Sequence, residues 1–208
     1  MTLERQVRVD GLTKGNIYRV RYRAINQIGS GPWSPIAYKR AASVPAAPPS
    51  PAVTFVDESQ IRLQLTISSD DGGTGIFAYH LYINEGTNGS PMHEIATYDG
   101  LSAAYTILAG DLVDTHTIRL GNMYTLKYVA ENSVGLSQDS SLLYVSLARK
   151  PNKPAPPTFD SKRSTRTQIV LQWTEGVSVD IPVTGYRIYS DKGLPGNQFL
   201  IYDGDGIT

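Results

Sequence analysis

Apolar and polar residues alternate with a period of two along several short stretches of the chain. Tyr18, Val20, Tyr22 and Ala24 are interleaved with Arg19, Arg21 and Arg23, the pattern of a strand with one buried and one wetted face. The three arginines are therefore expected to face water. Tyr124, Leu126, Tyr128 and Ala130 repeat the pattern, and Asn132 and Gly135 mark a turn into a closing strand over residues 140–147. Ile61, Leu63 and Leu65 alternate equally well, as do Ile169, Leu171 and Trp173, while residues 76–83 supply a further strand. Short strands, frequent turns and few helical patterns predict an all-β chain.

Two proline clusters divide this pattern. Pro45, Pro48, Pro49 and Pro51 form one, and Pro151, Pro154, Pro156 and Pro157 the other. Proline removes ladder donors, so both read as extended linkers. The segments on either side repeat. Residues 15–29 align without gaps on residues 121–135 at an offset of 106, with seven of 15 positions identical. Tyr79-His80-Leu81-Tyr82 matches Tyr186-Arg187-Ile188-Tyr189 at an offset of 107, and Tyr98-Asp99-Gly100 echoes Tyr202-Asp203-Gly204 at 104. The opening segment thus shares its pattern with the back of the middle unit, and the closing segment shares its pattern with the front. Expected units are residues 1–43, 44–149 and 150–208: the last three strands of a module, a complete module of about seven strands, and the first part of another.

These residues carry a resemblance. Leu12-Thr13-Lys14-Gly15-Asn16-Ile17-Tyr18, followed by Val20, Ala24, Asn26, Gly29, Gly31 and Ser34, resembles the second half of a fibronectin type III repeat. The proline-rich starts, Trp173 on the second strand and Val183-Thr184-Gly185-Tyr186-Arg187-Ile188-Tyr189 on the third resemble its first half. The resemblance covers nearly the whole chain and implies tandem immunoglobulin-like antiparallel β-sandwiches, one complete and two partial. It also implies a tyrosine corner at Tyr18 and Tyr124, with the ring in the core and the hydroxyl bonded to nearby backbone. Tyr79, Tyr186, Trp173 and Leu65 are the other expected core residues. Leu65 stands where such repeats usually have tryptophan, and Ile118 where they have leucine, which implies a less tightly specified middle core.

Charge adds a feature that alternation does not show. The 208 residues carry 19 basic and 19 acidic side chains, which argues against general affinity for nucleic acid or anionic membrane. Neutrality conceals a balance of +6 up to residue 45, −8 over residues 46–148 and +2 beyond. Acidic and basic neighbours attract at a contact in a salt-sensitive way, and Arg19, Arg21 and Arg23 form the candidate interaction surface. No cysteine is present, so neither disulfides nor thiolate metal sites are available. No apolar run approaches the roughly 20 residues of a membrane helix, and Met1-Thr2-Leu3-Glu4-Arg5 lacks the apolar stretch of a signal peptide.

Candidate chemistry is sparse. His80, His93 and His116 are the only histidines, and a metal centre would have to recruit carboxylates from distant strands. Asp70-Asp71-Gly72-Gly73 and Asp203-Gly204-Asp205-Gly206 resemble parts of calcium loops, but the residue types are those of turns, and the second lacks a later glutamate. Asn88-Gly89-Ser90 is a glycosylation sequon of little weight. No phosphate-binding loop, nucleophile elbow or carboxylate pair stands out, and there is no Arg-Gly-Asp. The expectation is a non-enzymatic segment without cofactor or metal, whose partners are an unidentified protein and its neighbouring modules.

The resemblance implies a modular spacer and protein-binding segment of a larger protein, with a cell-surface or extracellular adhesion or receptor role favoured. An intracellular filament or scaffold array, or accessory modules of a larger enzyme, are the alternatives. The half-modules are expected to belong to a longer array; a second reading has residues 152–208 and 1–42 completing one sandwich together.

Overall fold

The computed structural model describes residues 11–205; Met1 to Arg5 and Gly206, which entered the readings above, lie outside them. Among the described residues there are strands, turns and extended segments and no helix. In chain order the strands are β1 (Ile17–Val20), β2 (Ala37–Arg40), β3 (Ala52–Val56), β4 (Gln60–Gln64), β5 (Ile76–Asn84), β6 (Met92–Glu94), β7 (Ala104–Leu108) and β8 (Leu112–Val113). They continue with β9 (His116–Thr117), β10 (Met123–Asn132), β11 (Gly135–Leu136), β12 (Leu143–Ser146), β13 (Thr158–Phe159), β14 (Leu171–Gln172), β15 (Arg187–Ser190) and β16 (Phe199–Asp203).

β3, β4 and β7 form one antiparallel sheet, with β4 in the middle. The other has β10 at its centre, flanked by β5 and then β6 on one side and by β11 and β12 on the other. Alternation decides what lies between them. Ile61 and Leu63 from β4, Ile107 from β7, Leu81 and Ile83 from β5, and Tyr124, Leu126 and Tyr128 from β10 share one buried cluster. Their neighbours Arg62, Gln64 and Lys127 stay accessible. The hairpin β8–β9 carries the chain between the sheets, with Val113 and Ile118 buried beneath it. This is a β-sandwich.

Leu65 and Ile118 are also buried in that cluster. A cavity of about 20 Å³ remains beside Leu65, lined among others by Tyr79, Tyr98 and Tyr128, where an indole ring in place of the leucine would add bulk.

Burying tyrosines requires partners for their hydroxyls. Tyr124 is 1% exposed, and its hydroxyl accepts from the Arg119 N–H at 2.6 Å and donates to the Arg119 carbonyl at 3.2 Å. Tyr128 reaches across to the other sheet's chain, accepting from the Thr66 N–H at 3.1 Å and donating to the Thr66 carbonyl at 2.7 Å. Tyr79 accepts from the Ser68 N–H at 3.0 Å, and its ring packs on Tyr128 with centroids 5.9 Å apart.

The opening segment repeats this bonding at an offset of 106. Tyr18 accepts from the Thr13 N–H at 2.7 Å. The register Ile17↔Arg40 and Tyr18↔Lys39 corresponds to Met123↔Ser146 and Tyr124↔Val145. Gly15 N–H bonds Ala41 O as Gly121 N–H bonds Leu147 O, both at 2.8 Å. Ser34 inserts its hydroxyl against the Tyr22 N–H as Ser140 does against Tyr128, both at 3.1 Å. The side chain of Asn26 caps the turn to Gly29 as that of Asn132 caps the turn to Gly135. Tyr18 and Tyr124 therefore occupy equivalent places.

Two expectations change. β1 ends at Val20, and its apolar face is not buried: Tyr18 is half-buried while Val20 is exposed and Tyr22 is 77% exposed. In the closing segment β14 covers only Leu171–Gln172, and Trp173, expected in the core, is 41% exposed. It touches Tyr186, with centroids 6.0 Å apart. The reasons differ: among the described residues the opening segment has the single sheet β1–β2 with no second sheet over it, whereas the closing segment has two short sheets, β13–β14 and β15–β16, that leave an open cleft between them, so Trp173 meets Tyr186 without being covered.

The two proline linkers also differ. Pro45, Pro48 and Pro51 are buried and Pro49 is exposed. Burial of every third residue matches the three-residue turn of an extended polyproline chain lying along a surface. Pro151, Pro154, Pro156 and Pro157 are all exposed. Pro154 and Pro157 border an open cleft with Leu171, Trp173, Tyr186 and Ile188.

Tyr124→Phe is expected to keep the fold and lose about 0.5–1.5 kcal/mol, because the Arg119 N–H is left without its partner. Chemical denaturation measures this, and an unchanged midpoint would show that the hydroxyl stabilises nothing.

Candidate interaction surface

Arg19 lies in β1, and Arg21 and Arg23 follow it on the same wetted side; all three are exposed. Tyr38 of β2 stands directly opposite Arg19 and so shares its face. The structure adds Trp33, whose ring lies under two guanidinium groups: that of Arg21 at 4.3 Å and that of Arg23 at 4.7 Å from its centroid. Weakly hydrated guanidinium groups stack well on an indole face, and this one ring accommodates two of them. Among the described residues no carboxylate pairs with Arg19, Arg21 or Arg23. The result is a basic and aromatic patch of Arg19, Arg21, Arg23, Trp33 and Tyr38.

The contact between basic and acidic segments is made elsewhere. Lys14, in the turn before β1, pairs with Asp70 in the loop after β4. Asp70 also accepts the Gly72 N–H at 2.7 Å, and the Lys14 bond followed by this backbone bond holds its carboxyl below the usual range. Around this pair, the Ser43 N–H bonds Gly72 O at 2.9 Å and the Ala46 N–H bonds Asp70 O at 2.9 Å. The Asn132 amide donates to Ser43 O at 2.8 Å and to Asp71 O at 2.7 Å. Gly72 has φ +73°, and a Cβ there would sit 2.1 Å from Ser43 O, so only glycine lets the linker approach. The Asp70-Asp71-Gly72-Gly73 loop is thus a seat for the preceding segment, as well as a turn.

A second junction has the same plan. Arg149, at the start of the second linker, grips Asp180 with Nε at 2.9 Å and Nη2 at 2.8 Å, and its backbone N–H reaches the same carboxylate at 2.7 Å. The Asp180 side chain is 6% exposed. The Arg149 side-chain bond, then its backbone bond, lower the carboxyl to about 2. The turn glycines correspond as well: a Cβ on Gly15 would meet Gly73 O at 3.4 Å, and one on Gly121 would meet Asp180 O at 3.5 Å. Both turns lie just before the tyrosine corner strand, and both rest on the loop that follows the second strand of the next unit.

Among known proteins, no family model matches the chain. Fibronectin type-III domain-containing protein 3A of Mus musculus is 25% identical over 207 residues, covering 98% of this chain and 16% of that protein. Protein sidekick-1 of Mus musculus is 29% identical over 193 residues, covering 89% of this chain and 8% of that protein. The solution structure of the fibronectin type-III domain of human fibronectin type III domain containing protein 3 shares 28% identity over 52% of this chain and 91% of its own, with a TM-score of 0.40. In sequence the chain is similar to fibronectin type III regions within longer proteins. It spans less than a fifth of the length of either mouse relative.

Leu65 and Tyr124 are buried, and Tyr79, Tyr18 and Tyr186 are half-buried. Tyr186 accepts from the Gly176 N–H at 2.6 Å, much as Tyr79 accepts from Ser68. Asp203 and Asp205 pair with Arg187 at 3.1 and 2.9 Å, which accounts for that acidic turn. Asn88 and Gly89 of the sequon are exposed in the turn between β5 and β6. Sequence reasoning missed Trp33, Lys14 and Arg149. Only Trp33 left a signal, as an aromatic residue following Gly31-Pro32 with no place in the alternation.

The Arg149–Asp180 pair fixes a pH window. A depressed carboxyl contributes its bond in full above the unfolded value of about 4 and loses it as pH falls through the folded value. The Asp180 carboxyl followed by NMR should titrate near 2 in the chain and move up towards about 3.9 in Arg149→Ala. A wild-type midpoint already at the ordinary value would show that the junction does not form.

Proposed function

We propose that the chain is a non-catalytic spacer and protein-interaction segment of a larger adhesion- or receptor-type protein at the cell surface or outside the cell. The boundaries that fit this reading are residues 1–43, 44–149 and 150–208. The observation that carries it is the junction used twice: a turn and linker of one unit seated on the loop after the second strand of the next, each with a cation–carboxylate pair at the contact. Repeating one junction gives neighbouring modules a reproducible angle, which is what a spacer needs to hold surfaces at set distances. The relatives support a segment inside a much longer chain, since the matched region is 16% of one and 8% of the other.

The surface presented is the patch of Arg19, Arg21, Arg23, Trp33 and Tyr38. Its chemistry suits an acidic protein partner: the guanidinium groups steer it and the aromatic rings supply contact area.

Small-angle scattering tests the spacer. The wild-type chain should scatter as one narrow distribution of shapes, and the double variant Lys14→Ala and Arg149→Ala should broaden it with each unit still folded. A wild-type distribution as broad as the variant's would overturn the reading. Antibody labelling of unpermeabilised cells expressing the full-length protein tests its location. Surface signal is expected, and signal only after permeabilisation would exclude the cell-surface role.

A further inference from the structure

At the end of the middle sandwich where β5 stops and β10 starts, three elements bring donor side chains together. Glu85 follows β5, His93 lies in β6 and His116 opens β9. Nε2 of His93 is 3.0 Å and Nε2 of His116 is 3.1 Å from the same Glu85 oxygen, Oε1. The imidazole rings lie side by side, centroids 4.8 Å apart and planes inclined by 37°. One donor atom from each of the three residues lies within 4.8 Å of the other two.

The outward-facing nitrogens have partners too. Asp114 Oδ2 is 3.0 Å from Nδ1 of His93, and Thr115 Oγ1 is 3.4 Å from Nδ1 of His116. A neutral imidazole carries a single N–H. Nε2 of His93 hydrogen-bonds Glu85 Oε1; moving that ring proton to Nδ1, which faces Asp114, leaves both Nε2 atoms with lone pairs toward the Glu85 carboxylate. A cation placed between them satisfies all three. The carboxylate behind His93 is the support that fixes tautomer and ring orientation in histidine metal sites. Glu85 and Asp114 supply two negative charges for a dication, and among the described residues neither pairs with a lysine or arginine.

We propose that Glu85, His93 and His116 bind a divalent transition-metal ion, zinc by donor chemistry, with Asp114 orienting His93 from behind. Two imidazole nitrogens and one carboxylate oxygen suit zinc with water in the fourth position, whereas magnesium and calcium call for oxygen donors throughout. Zinc bonds of about 2.0–2.2 Å set tetrahedral donors roughly 3.3–3.5 Å apart, so the two short Glu85 contacts open slightly and the widest pair closes. The His116 side chain, 37% exposed, has room to rotate for this. The bound ion clips the hairpin that carries the chain between sheets to the β5–β6 turn, at the end from which the second linker leaves. His80 offers no such set, because Glu94 and Glu131 take its two ring nitrogens on opposite edges.

The test is calorimetric titration of zinc into the tag-free chain, followed in parallel by NMR. Saturable binding of one ion is expected, with shifts at Glu85, His93 and His116. His116→Ala, the least buried ligand, should weaken affinity by about tenfold or more, and Asp114→Asn by about tenfold, with the fold retained. His80→Ala should bind as the wild type does. Cobalt(II) in place of zinc should give the visible absorption of a four-coordinate site. Absence of saturable binding, unshifted histidine resonances in excess zinc, or wild-type affinity in His116→Ala would overturn the assignment.

Discussion

The hydroxyl of a buried tyrosine must find a partner, and β10 depends on that constraint twice. An unpaired polar group in a core costs about 1–3 kcal/mol, enough to offset much of what a ring gains by burial. Tyr124 meets the requirement within its own turn, at Arg119, while Tyr128 meets it across the sandwich, at Thr66. The first bond shapes the entry of β10 into its sheet. The second ties that sheet to the chain leaving the other, where Leu65 leaves space beside the tyrosine rings. The central strand is thereby fixed at both levels, and β5 and β12 pair along it in set registers.

Placing the tyrosine turn so firmly has a consequence beyond the sandwich. The glycine that opens it, Gly15 or Gly121, becomes a rigid foot that rests on the loop of the next unit. The cation–carboxylate pairs then act locally. Lys14–Asp70 is exposed and contributes little by itself, but Gly72 and the Asn132 amide make backbone contact around it. Arg149–Asp180 uses a bidentate fork with a backbone bond, and the Asp180 side chain is nearly covered. The oppositely charged opening and middle segments thus meet through Lys14 and Asp70, whereas Arg149 and Asp180 both lie beyond residue 148. Among the described residues Arg19, Arg21 and Arg23 pair with no carboxylate, and Arg21 and Arg23 stack on Trp33.

The opposite end of β5 shows the same economy of elements. Glu85, His93 and His116 sit on three connections that meet only because the β8–β9 hairpin crosses between sheets beside the β5–β6 turn. A cation held there and the tyrosine corner would brace the same end of the module, from which the second linker departs.

Much of the architecture was legible in the sequence because alternation and turn chemistry are local properties. Alternation, the proline breaks and the offsets of 106 and 107 pointed to the strands and their equivalence, and the family resemblance implied the sandwich type and the corner tyrosines. Burial in the outer segments was not legible: alternation says which face is apolar, and only a packed second sheet covers it, which Tyr22 lacks among the described residues and Trp173 has only as an open cleft against Tyr186. The junctions and the histidine cluster were decided by tertiary structure alone. Arg149 and Asp180 stand 31 positions apart and Lys14 and Asp70 stand 56 apart. Their meeting depends on how one folded unit seats on the next, a quantity that no local pattern encodes.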